Sequence, residues 1–314
     1  MSMTKPVTIY AGAAGVDNVH REDDIRFSSR TGVTGLAKGV NVVIESSGKG
    51  RPRCRRANGY SELFAGSFHS GWRDTGDAFV GYGTGLYRFR PERTLQLVRS
   101  GMTGARICYA QHGEKTYFGN GTQNGVIENG VYSAWPTDSY LGMETLRAYT
   151  GAPIAKKMCI HNGRIFIVTP SDPNTIYCSE YGMFNTFFPA ENHQNFESTV
   201  IMMVPVKAGI FVSSEHNTWF MRGQGAIRDM ILDDVKDPHP AIEWSEWPQK
   251  INVSDLGDEN LRGGHCRLWR GKTGAIVGFE DGSIANLTEN MIDTECGSSG
   301  ASCYMKPYFI HSAV

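Results

Sequence analysis

Apolar residues recur at every second position on both sides of a short glycine-rich turn, Gly83–Gly85. Ala78, Val80 and Tyr82 precede this turn, and Leu86–Phe89 carries apolar side chains away from it. A period of two is typical of a β-strand with one buried face. Two such strands around a tight turn predict an antiparallel hairpin.

Four later stretches repeat this arrangement of strand, polar turn and strand. Their predicted strand pairs are Lys115–Phe118 with Gly125–Ile127, Arg164–Val168 with Thr175–Tyr177, Gly209–Val212 with Thr218–Met221, and Ala275–Phe279 with Ser283–Leu287. The five turns fall near residues 84, 121, 172, 216 and 281, so the gaps between them are 37, 51, 44 and 65 residues. One propeller blade takes about 40–50 residues.

This spacing predicts an all-β chain that folds as a divergent β-propeller of five or six blades. The last, longest gap leaves room for a sixth, degenerate blade or for an insertion. The apolar run Val200–Val206 suits a central strand buried on both faces. The alternative fold is a β-sandwich or barrel built from ordinary meanders.

The polarity of the chain predicts its organisation. Residues 1–38 are polar and predict an irregular N-terminal arm, while residues 39–314 form the propeller, with a possible interface insertion at 228–262. Residues 181–196 predict a long loop. The aromatic C-terminal tail is expected to pair with Val40–Ile44 and close the ring of blades.

Composition narrows the class of protein. The 314 residues carry a net charge of −1, which disfavours a general affinity for nucleic acid or anionic membranes. There is no apolar run of the roughly 20 residues that a membrane span needs, and the N-terminus lacks the apolar core of a secretion signal. Seven cysteines without a C-x-x-C pair predict folding in a reducing cytosol. Three glycosylation sequons, one at Asn120, are therefore interpreted as turn composition.

The sequence offers little that suggests catalysis. The glycines from Gly81 to Gly85 lead into a strand, not into the helix N-terminus that would hold a phosphate. The nine histidines are dispersed, so no metal and no cofactor are expected. The one enzyme alternative is a sialidase-like propeller, suggested faintly by Ser214–Trp219, with carboxylates drawn from Asp233, Glu243 or Asp281. The chain is predicted not to be an enzyme.

Two stretches are candidate interfaces. A basic run alternates along an extended segment and could face phosphate, although a solvated strand edge is the alternative; its members are Arg51, Arg53, Arg55 and Arg56. The loop 228–262 combines acidic and aromatic residues, of which Asp233, Asp234, Trp244 and Trp247 are the candidates. Tryptophan often anchors interfaces, but a tucked tryptophan in an ordinary connection is the alternative.

Several short stretches together resemble the tail-nozzle or tail-stabilisation proteins of short-tailed bacteriophages. They are Gly15–Asn18, Val40–Ile44, the run Arg51–Tyr60, Gly83–Tyr87, His161–Phe166, Cys178–Glu180 and Phe279–Ile284. The resemblance implies a virion protein that is assembled in the bacterial cytoplasm as a homo-oligomeric ring of six copies. Such a ring joins the portal and adaptor to the distal tail, contacts tail fibres and surrounds the DNA exit path.

The alternative function is a propeller that binds glycan or protein. Its binding residues would be the tryptophans at positions 135, 219, 244 and 247.

Overall fold

The computed structural model describes most of the chain after residue 63. The described residues are 64, 66–73, 77–136, 148–235, 239–247, 249–256, 264–272, 274–288, 297–305 and 308–313, together with the backbone of four strands at 13–16, 34–36, 42–45 and 53–56. The chain divides into two compact units. One contains residues 1–62 and 286–295, and the other contains residues 63–285 and 296–314.

The first unit contains two short strand pairs. β1 (Ala13–Val16) and β2 (Thr34–Leu36) pair in parallel, and β3 (Val42–Glu45) pairs antiparallel with β4 (Arg53–Arg56). Residues 1–38, predicted as an irregular arm, therefore hold a parallel strand pair. Whether the domain boundary lies at residue 39 stays a prediction.

The second unit contains five antiparallel sheets that follow one another along the chain. Sheet 1 comprises β5 (Phe68–Arg73), β6 (Ala78–Tyr82), β7 (Gly85–Phe89) and β8 (Leu95–Arg99). Sheet 2 comprises β9 (Cys108–His112), β10 (Lys115–Gly119), β11 (Asn124–Glu128) and β12 (Val131–Ser133). Sheet 3 comprises β13 (Lys157–His161), β14 (Arg164–Val168), β15 (Thr175–Glu180), β16 (Met183–Phe187) and β17 (His193–Asn195).

The last two sheets continue this order. Sheet 4 comprises β18 (Val200–Val206), β19 (Gly209–Ser214), β20 (Thr218–Arg222) and β21 (Ile231–Asp234). Sheet 5 comprises β22 (Ile251–Asn252), β23 (His265–Gly271), β24 (Gly274–Phe279) and β25 (Ile284–Asn286). Short 3₁₀ helices cover Ile227–Asp229 and Val253–Leu256. A separate C-terminal hairpin pairs β26 (Gly300–Met305) with β27 (Tyr308–Ala313).

Consecutive sheets pack face to face through four apolar clusters. Each cluster draws buried side chains from two neighbouring sheets: Leu86 and Phe118 from sheets 1 and 2, Val126 and Ile165 from sheets 2 and 3, Phe166 and Val212 from sheets 3 and 4, and Phe211 and Trp269 from sheets 4 and 5. The first strands β9, β13 and β18 lie next to one another. Sequential meanders stacked in this way make the unit a five-bladed β-propeller, as the spacing of the turns predicted.

The strand alternation explains how one sheet serves two neighbours. In β19, Ile210 and Val212 join the cluster shared with sheet 3, whereas Phe211 between them joins the cluster shared with sheet 5. Successive side chains of a strand point to opposite faces. The central sheets are therefore apolar on both faces, and the prediction of a doubly buried strand at Val200–Val206 is confirmed.

All five predicted hairpins are present, but the last one occupies a different place in its sheet. Four of the turns join the second and third strands, whereas the turn near residue 281 joins β24 and β25, the third and fourth strands of sheet 5. The long last gap between turns thus contains one additional strand. In the described residues it holds no sixth sheet.

Two strand predictions are wrong. The C-terminal tail, predicted to close the ring by pairing with Val40–Ile44, forms a hairpin of its own, β26 with β27. Residues 181–196, predicted as a loop, contain β16 and β17, which both pair with β15 along different parts of its edge. Asparagine and aromatic residues without clear alternation conceal these strands, because each pairs over only two or three residues.

Candidate functional site

Large apolar side chains are exposed on the outermost strands of four sheets. Leu97 of β8 is 52% exposed, Val131 of β12 69%, Met183 of β16 41%, and Ile231 and Leu232 of β21 63% and 40%. We call these five residues the apolar rim. Edge strands usually carry charge or proline because unpaired backbone groups invite pairing with other chains. Single exposed apolar residues are common on protein surfaces, but Ile231 and Leu232 are adjacent on one edge strand, so β21 is the candidate contact surface.

Strand β21 joins the rim to two of the predicted interface residues. Asp233 lies opposite Phe220 of β20, and Asp234 lies opposite Trp219. The Asp233 carboxylate accepts a hydrogen bond of 2.7 Å from Nε of Arg222, so this aspartate is paired within its own sheet. Asp234 is exposed. The edge thus presents two apolar side chains followed by an acidic one.

The start of β21 is fixed to the neighbouring sheet. Ile227 of the preceding 3₁₀ helix is buried in the cluster between sheets 3 and 4. Arg228 beside it forms a salt bridge with Glu191, in the connection between β16 and β17. These contacts hold the edge in place, so a partner would meet a preformed surface.

Sequence reasoning missed a charged cluster inside the propeller. Lys157 begins β13, and only 3% of its side chain is exposed. Its Nζ lies 3.5 Å from Oε1 of Glu243, 4.0 Å from Oε1 of Glu246 and 3.2 Å from the ring centroid of Trp244. We call these four residues the buried lysine cluster.

The segment 239–247 brings the two glutamates to the lysine. The Ala241 N–H donates to Ser213 Oγ, the Ile242 N–H to the Arg270 carbonyl, and the Trp247 N–H to the Leu268 carbonyl. The segment is therefore held against sheets 4 and 5. Trp244 adopts a positive φ of 64°, unusual for a bulky residue, and this turn aims its ring at Lys157.

Burial controls the protonation of the cluster. It lowers the pKa of Lys157, partly offset by the charges of Glu246 and Glu243. Burial also raises the pKa of Glu246, although Lys157 works in the opposite direction. The neighbouring Cys108 thiol, buried as well, has its pKa raised to about 12. Both the amine and the carboxyl are thus shifted toward their neutral forms.

The predicted tryptophan set is not one exposed surface. Trp135 is 5% exposed and packs on Tyr117, and Trp219 packs against the cluster between sheets 3 and 4. Trp244 and Trp247 are both partly buried on the segment that carries the glutamates. These positions suit internal packing better than glycan stacking.

Of the basic candidates, Arg53, Arg55 and Arg56 lie in β4, opposite Glu45, Val43 and Val42 of β3. The run is extended, as predicted. The side chains of these arginines, and Arg51 altogether, lie outside the described residues, so their interface role stays a prediction.

Other chemistry finds little support in the part of the chain that the structure describes. The Ser214 turn is an ordinary one, in which Ser214 Oγ accepts hydrogen bonds from the N–H groups of His216 and Asn217. No cluster of three or more potential metal ligands occurs among the described residues. Within the same residues, no helix is long and apolar enough to cross a membrane.

No protein family and no curated protein matches the sequence. Among solved structures, the chain is similar to BBS1N, crystallised in complex with ARL6DN, at 9% identity and a TM-score of 0.48 over 76% of this chain and 71% of that one. It is also similar to the extracellular domain of BT4673 from B. thetaiotaomicron, at 13% identity and a TM-score of 0.41 over 70% and 27% of the two chains. The chain is also similar to PorZ from Porphyromonas gingivalis, at 10% identity and a TM-score of 0.32 over 71% of this chain and 40% of that one.

Proposed function

We propose that this propeller is a non-catalytic scaffold whose outer rim binds neighbouring protein subunits. The observation that carries the proposal is the apolar rim, above all Ile231 and Leu232, which are adjacent and both exposed on one edge strand. Neighbouring residues of a strand point to opposite faces. A partner that covers both would enclose the edge of β21.

Burial of this edge would provide the driving force for binding. Each Å² of apolar surface removed from water contributes about 25 cal/mol. The free backbone groups of an outer strand can also pair with an extended segment of a partner. Asp234, exposed beside the apolar pair, would favour a basic group on that partner.

The finer proposal is that these neighbours belong to a bacteriophage tail. Its support is the sequence resemblance to tail-nozzle and tail-stabilisation proteins, together with a rigid propeller that suits repeated contacts in a closed ring. In this proposal six copies form a ring, contact the portal or adaptor and tail fibres, and surround the DNA exit path. The basic strand β4 would be the DNA-facing candidate.

A mass measurement tests the scaffold proposal. The purified chain, alone and mixed with recombinant portal and adaptor proteins, is compared with the double variant Ile231→Lys, Leu232→Lys by light scattering after gel filtration. The wild-type chain is expected to form a ring or a complex, and the variant to weaken assembly at least tenfold. Two buried apolar side chains of this size contribute about 1.5–3 kcal/mol each.

The matched control is Ile154→Lys. Ile154 is 39% exposed but lies in the connection between β12 and β13, outside the outermost strands, and its replacement should leave assembly unchanged. A wild-type chain that stays monomeric in every mixture would contradict the scaffold proposal. Assembly with proteins other than portal or adaptor would retain the scaffold and reject the tail assignment.

A further inference from the structure

The buried lysine cluster holds an amine and two carboxyl groups within ion-pair distance but farther apart than in a charge-assisted hydrogen bond. Charge-assisted hydrogen bonds are about 2.7–2.9 Å long, whereas Lys157 Nζ is 3.5 and 4.0 Å from its two glutamates. Oε2 of Glu246 is buried and has no hydrogen-bond partner among the described residues. A buried charged group without a hydrogen-bond partner costs free energy.

The two carboxyl groups have different surroundings. The side chain of Glu246 is 18% exposed and its Oε2 is fully covered, while Glu243 is 26% exposed and can exchange protons with solvent. The Trp244 ring covers the ammonium group at 3.2 Å and excludes water from that side. The other ionisable groups that act on the cluster are Cys108 and Arg106.

We propose that Lys157 and Glu246 form an intramolecular amide bond, with Glu243 as the base that transfers protons. The site is thus a self-modification site whose reactants are all side chains of this chain. An amine held beside a carboxyl group in fixed geometry gains a large effective concentration, which replaces external activation.

The reaction balances without any other reactant. Glu243 takes one proton from the Lys157 ammonium, and the free amine lone pair attacks Cδ of the protonated Glu246 carboxyl. Glu243 then returns this proton to the hydroxyl of the tetrahedral intermediate, and the C–O bond breaks to release water. The proton left on the nitrogen passes to Glu243. No atom is oxidised or reduced, and one water is lost.

The protonation directions support this sequence. Burial lowers the pKa of Lys157, which favours the nucleophilic amine. Burial raises the pKa of Glu246, which favours the neutral carboxyl that can lose water. The bond would join the first strand of sheet 3 to the segment that enters sheet 5, and so fasten the propeller covalently across its interior.

The test is the intact mass of the full wild-type chain, measured after denaturation in reducing buffer. We expect a mass lower than the sequence mass by one water molecule, and a tryptic peptide pair joined through Lys157 and Glu246. Glu246→Ala should restore the full sequence mass. Glu243→Gln, which keeps the shape but removes the base, should slow the water loss at least tenfold.

Glu128→Gln is the matched control. Glu128 pairs with Lys115 at 3.7 Å at the exposed end of the β10–β11 hairpin, with both side chains 48% exposed, so its variant should retain the full loss of water. A folded wild-type chain with the unmodified sequence mass would overturn the proposal, and so would a water loss mapped to other residues. The mass of the folded wild-type chain alone decides between the two outcomes, so the conclusion does not depend on whether every variant folds. The outcome is independent of assembly at the apolar rim.

Discussion

His161, at the end of β13, is a neutral group buried where a charged one would be costly. It is 6% exposed, and its Nε2 lies 2.8 Å from the carbonyl of Gly223, to which it donates. Burial lowers the pKa of this imidazole below its ordinary value of 6.5. Below about pH 6.5, the unfolded chain therefore binds a proton at His161 and the folded chain does not. The contribution of His161 to stability is fully present above about pH 6.5 and is lost as the pH falls below that value.

Replacement of His161 by glutamine should remove this part of the pH dependence. Glutamine retains an N–H donor for Gly223 but does not titrate. Urea unfolding measured from neutral to mildly acidic pH should show a shallower loss of stability in the variant than in wild type. His216→Gln, in the exposed turn between β19 and β20, is the control. An unchanged slope in His161→Gln would contradict this prediction.

At the same scale, the buried lysine cluster is a feature that could not be predicted from the sequence. Lys157 stands directly before the apolar run Met158–Ile160, and the two glutamates flank Trp244 in a Glu-Trp-Ser-Glu run. A charged residue inside a strand run is a weak signal of a buried partner. The identity of that partner depends on the path of segment 239–247, which follows no periodic pattern.

At the scale of elements, the turn between β10 and β11 depends on one asparagine. Asn120 is 5% exposed, and its Oδ1 accepts hydrogen bonds from the N–H groups of Thr122 and Gln123 and from the Thr122 hydroxyl. A side chain used in this way explains the sequon at Asn120 as turn chemistry, which is how the sequence was interpreted.

Asn120→Ala should lower the free energy of unfolding by about 1–3 kcal/mol, since three donors in a partly buried turn lose their shared acceptor. Chemical denaturation measures this difference. Asn174→Ala, at an exposed position in the turn between β14 and β15, should change stability by less than about 0.5 kcal/mol. Equal effects of the two substitutions would show that the Asn120 acceptor does not hold the turn.

The hairpins could be predicted because period-two alternation and a glycine- or asparagine-containing turn are local signals. The first part of the last sheet could not. Its first strand β22 has two residues, and the segment before it touches β23 through one isolated bridge, Ala241 with Gly271. Pairing over so few residues has no detectable period, so the position of Trp244 and Trp247 was assigned to an insertion.

At the scale of the molecule, the sheets differ in how much of their surface is packed. Sheets 3 and 4 have an apolar cluster on each face, whereas in the described residues sheet 1 has one on a single face. Backbone amides exchange slowly where opening requires the loss of more packing. We therefore expect amides of β14 and β19 to exchange at least tenfold more slowly than those of β6 and β7.

Native-state hydrogen exchange with peptide mass analysis measures this order. Peptides from the turns, such as Gly83–Thr84, provide the fast reference within the same sample. Equal protection in sheets 1 and 4 would show that the propeller opens as one cooperative unit.

The face-to-face packing also places cysteine sulphur atoms in two of the apolar clusters between neighbouring sheets. Cys108 lies in the cluster between sheets 2 and 3, and Cys159 and Cys178 lie between sheets 3 and 4. All three thiols are buried, which also raises their pKa, so a labelling reagent reaches them only when the two sheets that cover them separate. The native cysteines are thus internal probes of blade separation, and the order in which they are alkylated reports which pair of blades separates first.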